Sequence, residues 1–151
     1  MSIVAHEDDD LLFMNPDLLN EVRGGACVTT VFLTAGDAGS GSDYWHEREL
    51  GPQAAYSTML GLSASSSWQI NQETVSGHTI RTATSPSGGT AKLYYLRLPD
   101  GGLQGDGFTT TGNRSLELLW DGHISSLGAI DSSASYTRSG LVTTLSAIVS
   151  A

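Results

Sequence analysis

The ten residues CVTTVFLTAG, positions 27–36, constrain this chain more than any other stretch. Val28, Thr29, Thr30 and Val31 are β-branched, Phe32 and Leu33 come next, and no charge interrupts the run before Gly36. Branched side chains favour extended backbone, and the absence of polar alternation marks a strand covered on both faces, as in a parallel sheet. The flanks agree. Residues 2–5 read as a short buried strand, and DLLNEVRGG, positions 17–25, as a helix closed by Gly24-Gly25. Strand, helix and strand in that order predict a parallel βαβ unit.

DAGSGSD (37–43) then forms a glycine-serine loop, and YWHERELGPQAAYSTMLG (44–61) a helix that Pro52 is expected to bend or restart. The middle of the chain, residues 67–102, changes character. Short strands alternate with Ser-Gly and Pro-Ser-Gly-Gly turns, which predicts a β-hairpin region. TTGNRSLELLWDG (110–122) suggests a capped helix with Asn113 as N-cap and Glu117 near its first turn. Residues 135–151 carry a helical apolar stripe at Leu141, Leu145, Ile148 and Val149, and the chain stops there in mid-helix. With no repeat or linker, residues 1–151 read as one domain. The expected fold is α/β, a Rossmann-like three-layer arrangement with a mostly parallel sheet and a β-hairpin insertion.

The net charge of −9 argues against a nucleic-acid partner and against docking on anionic lipid. No segment approaches the ~20 apolar residues of a membrane span. The single cysteine, Cys27, excludes an internal disulfide and, placed in an apolar strand, is expected to be an inert core thiol. No signal peptide is visible, although the Ser/Thr/Gly-rich, Lys-poor composition suits a secreted domain whose leader has been removed. The compartment stays open.

Chemistry concentrates in SIVAHEDDDLLFMNP, residues 2–16, where His6 precedes Glu7, Asp8, Asp9 and Asp10. In open α/β sheets functional groups collect just past the carboxyl ends of strands. His6 and its acidic neighbours hold that position after the first strand, Gly36-Asp37 after the second. An imidazole with carboxylates two and three residues on can place one nitrogen and one oxygen on a single Zn²⁺. The remaining carboxylate can then face a water as general base. A solvated acidic turn with a capping aspartate has the same local sequence, and both readings stand at this level.

VAHEDDDLLFMNPDLL, with VTTVFLTAGDAGSG and YWHERELGPQAAYSTMLG after it, resembles the PIG-L/LmbE-type zinc-dependent de-N-acetylases. Those enzymes carry an Ala-His-Pro-Asp-Asp-Asp/Glu motif after the first strand, a Thr-x-Gly-Asp/Glu strand end and an Arg-Glu helix. YYLRLPDGG, GFTTTGNRSLELLWDG and SASYTRSGLVTTL are similar to the longer, often secreted bacterial and fungal members, so the resemblance runs along essentially the whole chain.

The resemblance implies His6 and Asp9 as zinc ligands and Asp8 as general base. Asp10 would support the ligands or cap the helix. Arg48 would lie near the substrate and Asp100 on the rim of the site, each also readable as a plain structural salt bridge. Glu7 stands where the family has proline, a departure expected to spare every functional position. The implied substrate is an N-acetylglucosamine-type sugar conjugate; Trp45 and Trp68 could stack on a sugar ring or belong to the core.

One departure is larger. The family's third zinc ligand comes from a His-x-x-His or Asp-His-x-Asp-His segment, which is absent here. His46, His78 and His123 lack the required neighbours and read as surface or turn histidines. The chain therefore reads as the N-terminal portion of a longer deacetylase, or as one completed by a second polypeptide. The alternative is a non-catalytic carbohydrate- or metal-binding remnant of such an enzyme.

Overall fold

A computed structural model describes residues 1–86, 88 and 90–151; Ser87 and Gly89 of the expected Pro-Ser-Gly-Gly turn lie outside the described residues. The chain begins with β1 (Ser2–Val4), α1 (Asp9–Phe13), α2 (Asp17–Arg23) and β2 (Val28–Thr34). The long helix α3 (Ser42–Met59) comes next, then strands β3 (Gln69–Val75), β4 (His78–Thr84) and β5 (Ala91–Leu98). After a 3₁₀ turn at Thr109–Thr111 come α4 (Leu116–Trp120), β6 (Leu127–Gly128), β7 (Ser135–Tyr136) and α5 (Arg138–Val149).

Five strands form one sheet in the order β1-β2-β5-β4-β3. β1, β2 and β5 run parallel, with β1 at one edge, while β4 and β3 continue the sheet as an antiparallel hairpin to the other edge. Ser76 and Gly77, both at positive φ, turn that hairpin. Leu18, Val22 and Tyr56 from α2 and α3 pack with Phe32, Leu93 and Tyr95 on one face of the sheet. Leu119, Leu141 and Ile148 from α4 and α5 pack with Val31, Tyr94 and Leu96 on the other. The result is the expected Rossmann-like α/β arrangement in three layers.

Several local expectations are corrected. Cys27 is exposed and lies one residue before β2, so it is not a core thiol. Helix α3 runs unbroken through Pro52, which is buried. The N-cap of α4 is Ser115, whose hydroxyl accepts from the Leu118 N–H; Asn113 instead adopts left-handed backbone at φ 52°. Glu117 does sit in the first turn. Within the apolar stripe of α5, Leu141 and Ile148 are buried and Val149 is exposed. The Ser150 N–H bonds the carbonyl of Ser146 at the end of that helix. Trp45 and Trp68 are both buried, and the Trp68 indole donates to Ser57; neither ring is free to stack on a sugar.

One irregularity shapes the end of the sheet. Between Phe32–Tyr95 and Thr34–Leu98 the register of β2 against β5 gains one residue on β5, and Arg97 there has φ 56°. A bulge of this kind bends the strand and re-aims the residues after it. Beyond it, the Ala35 N–H bonds the Leu98 carbonyl at 2.8 Å, which brings the segment after β5 beside the end of β2.

Candidate functional site

The three parallel strands point their carboxyl ends the same way, so the residues just past each strand meet. His6 lies just past β1, Asp37 past β2 and Asp100 past β5. Thr34 ties the first two ends together, with its N–H and its hydroxyl both donating to the Ala5 carbonyl at 2.9 Å.

The His6 imidazole lies between two carboxylates. Its Nδ1 is 3.6 Å from Asp9 Oδ2, and its Nε2 is 3.5 Å from Asp100 Oδ1. Asp9 Oδ2 also accepts the His6 backbone N–H at 3.0 Å, which pins the carboxylate beside the ring. Both side chains keep part of their surface in solvent, 35% for His6 and 24% for Asp9. Asp100 is held from below: its N–H donates to Asp37 Oδ1 at 2.8 Å, and its own Oδ1 accepts from Gly102 N–H at 2.9 Å. Asp37 is 1% exposed and accepts the Gly39 N–H through its other oxygen.

On the far side of the motif, Arg48 from α3 donates from Nε to Glu7 Oε2 at 3.2 Å and from Nη2 to Asp8 Oδ1 at 3.1 Å. Asp8 is open to solvent, whereas Glu7 is only 3% exposed. Burial pushes the Glu7 carboxyl up to about 7 against the opposing pull of its backbone hydrogen bond and of Arg48. Burial alone would lower the Arg48 guanidinium, but hydrogen bonds to Tyr44 and Glu7 and the charges of Glu7 and Asp8 raise it. Room for this pair comes from Gly36 at φ 53°, where a Cβ would stand 2.6 Å from Arg48 Nε and 2.7 Å from Glu7 Oε2. Glu7, Asp8, Arg48 and Pro52 line a hollow of about 270 Å³ on this side.

Asp10 turns inward, fully buried, and accepts from the Tyr56 hydroxyl at 2.6 Å; Tyr56 also bonds Thr30 Oγ1 at 2.7 Å. Burial raises the Asp10 carboxyl above its ordinary value despite those bonds. It anchors α1 to the sheet, and its Oδ1 accepts the Leu11 N–H at 2.9 Å in the first turn of that helix.

Of the five residues expected at the site, the structure brings His6, Asp8, Asp9, Arg48 and Asp100 to one end of the sheet. His46, His78 and His123 stay apart. His46 lies against its neighbour Trp45 with the rings tilted by 35°, His78 stacks on Tyr136 and bonds Thr144, and His123 is exposed after α4. Among the described residues no three His, Cys, Asp or Glu side chains are grouped to hold a metal ion. Two roles escaped the sequence reading: Glu7 is a buried partner of Arg48, and Asp37, singled out only by its strand-end position and motif, is the anchor of Asp100.

A histidine between two carboxylates, just past the carboxyl ends of parallel strands, stands where open α/β sheets collect their functional groups. The chain matches the PIG-L family, described as GlcNAc-PI de-N-acetylase, over residues 1–148, and it belongs to that family. No curated protein and no solved structure matches it. Among the described residues no helix is long and apolar enough to cross a membrane.

Proposed function

We propose that this chain carries the metal-dependent N-deacetylase chemistry of its family on an N-acetylglucosamine-type sugar conjugate, with His6 and Asp9 holding Zn²⁺. The carrying observation is the His6 Nδ1–Asp9 Oδ2 pair, 3.6 Å apart and open to solvent. A neutral imidazole nitrogen and a carboxylate oxygen at that separation suit two donors to one small divalent cation, so the donor set fits the metal. When bound, zinc polarises an amide carbonyl and acidifies a water.

Asp8 lies next to this pair and projects into solvent, with Arg48 fixing the direction of its carboxylate. It takes a proton from the attacking water and returns one to the departing nitrogen as the C–N bond breaks, leaving acetate and a free amine. Arg48 keeps its remaining surface toward the hollow beside Asp8, where it contacts the sugar. Two protein donors hold a cation weakly, and the absence of a third among the described residues favours one further reading, a metal- or sugar-binding relative without turnover.

Zinc binding and amine release from an N-acetylglucosamine conjugate separate the two. Asp8→Asn should keep zinc within a few-fold while lowering turnover by about 10²- to 10⁴-fold. Zinc binding with no amine release by the parent chain supports the remnant; loss of zinc by Asp8→Asn as complete as by Asp9→Asn contradicts the role given to Asp8.

A further inference from the structure

We propose that Asp100 is a positioning residue that orients His6 toward the cation, rather than a contact for the sugar, and that buried Asp37 holds it in place. This rests on His6 and Asp9 being the metal donors. The two carboxylates beside His6 address different ring nitrogens, Asp9 at Nδ1 and Asp100 at Nε2. A neutral imidazole has one lone pair and one N–H, and the hydrogen bond at one nitrogen decides which the other presents. With a cation between Nδ1 and Asp9, the proton would stay on Nε2, where the Asp100 carboxylate stands 3.5 Å away and would hold the ring in that orientation.

The same geometry explains why Asp100 does not act as a third donor. Lying across the ring from Asp9, it does not converge with that carboxylate on one point, in keeping with the lack of a three-donor group among the described residues. Nor is Asp100 a loose rim residue. Its N–H is fixed on Asp37 Oδ1, its Oδ1 accepts from Gly102, and its side chain is 16% exposed. Asp37 uses its second oxygen on Gly39, so both its oxygens serve the two loops that frame His6. The bulge at Arg97 supplies the register that lets β5 deliver Asp100 to this position. Its Oδ1 serves both the ring and the loop, which fixes the carboxylate beside His6.

The test uses the full chain in two measurements. In the metal-free protein, ¹⁵N chemical shifts of the His6 ring should show the proton on Nε2, and Asp100→Ala should move it to a mixture of both tautomers. Zinc affinity by chelator competition should then fall about 10- to 100-fold in Asp100→Ala. Asp100→Asn, which keeps an acceptor for Gly102, should fall less, and Asp37→Ala in the same direction with its fold checked by circular dichroism. Exposed Glu117→Gln serves as the control with unchanged affinity. A parent chain that shows the Nε2–H tautomer unaltered in both Asp100 variants, or that binds zinc equally in all of them, overturns the proposal. Failure of the parent to bind zinc at His6 would instead refute the donor assignment, and the tautomer measurement would still decide what Asp100 does to the ring.

Discussion

Adjacent residues of α3 serve two charge clusters of opposite character. Glu49 belongs to a closed one: Arg97 donates to both its oxygens at 2.6 and 2.8 Å, and a third guanidinium nitrogen reaches Asp131 at 2.6 Å. Arg81 adds a further ion pair at 3.2 Å, and the Arg97 guanidinium lies 4.7 Å from the centre of the Trp45 ring. Arg48, one residue earlier, belongs to the open cluster at the strand ends, where the contacts with Glu7 and Asp8 and around His6 run from 3.1 to 3.6 Å. In the closed cluster nearly every charged oxygen is already used by the protein. In the open one, Asp8, Asp9 and His6 keep capacity facing solvent. Charge held tightly and out of water is structure; charge held loosely at a strand end is available for chemistry.

The largest effect should come from breaking the closed cluster. Arg97→Ala leaves Glu49 buried beside a single remaining cation and should cost about 3–5 kcal/mol in urea unfolding. An effect below about 1 kcal/mol, the range of exposed pairs, would show that Glu49 is solvated in solution. The mirror experiment is His6→Ala. It should abolish zinc uptake while changing unfolding free energy by less than about 1 kcal/mol, since the ring is partly exposed and its contacts with Asp9 and Asp100 are long. A large stability loss would make His6 a structural residue like Arg97.

A subtler contrast is Glu7, the buried carboxyl that Arg48 shares with Asp8. Its value is raised from 4.5 to about 7 mainly by burial. Between those values the unfolded chain has released a proton that the folded chain keeps, so this group's contribution to stability falls as pH rises through that window. Glu7→Gln removes the slope, and its melting temperature relative to the parent should improve from pH 5 to pH 7.5. A constant difference across that range would place the Glu7 proton elsewhere.

The parallel strand core was legible because it is written locally. β2 announces itself through branched and apolar residues, and the His6–Asp10 motif through its position after a strand. What the sequence concealed depends on distant partners. Glu7 gains its role from Arg48 and Asp37 from Asp100, residues far apart in the chain that meet only when the strand ends align. Helix α3 was hard to orient for a related reason. Its buried face is Trp45, Glu49, Pro52, Gln53, Tyr56 and Ser57, half of it polar, so the stripe that normally marks a core face is replaced by an ion network. Pro52 misled for the converse reason: a proline costs one helical hydrogen bond, and packing of that face outweighs the loss. Cys27 was misplaced by a single residue, enough to move a thiol from core to surface.

The most direct test of the open cluster as the working site is the position of zinc itself. Crystals of the full chain grown with zinc and measured at the zinc absorption edge should show one anomalous peak between His6 Nδ1 and the Asp9 carboxylate, with Asp100 on the opposite side of the ring and no direct contact to the metal. A peak at His46, His78 or His123, or a His6 ring turned away into the protein, would contradict that assignment.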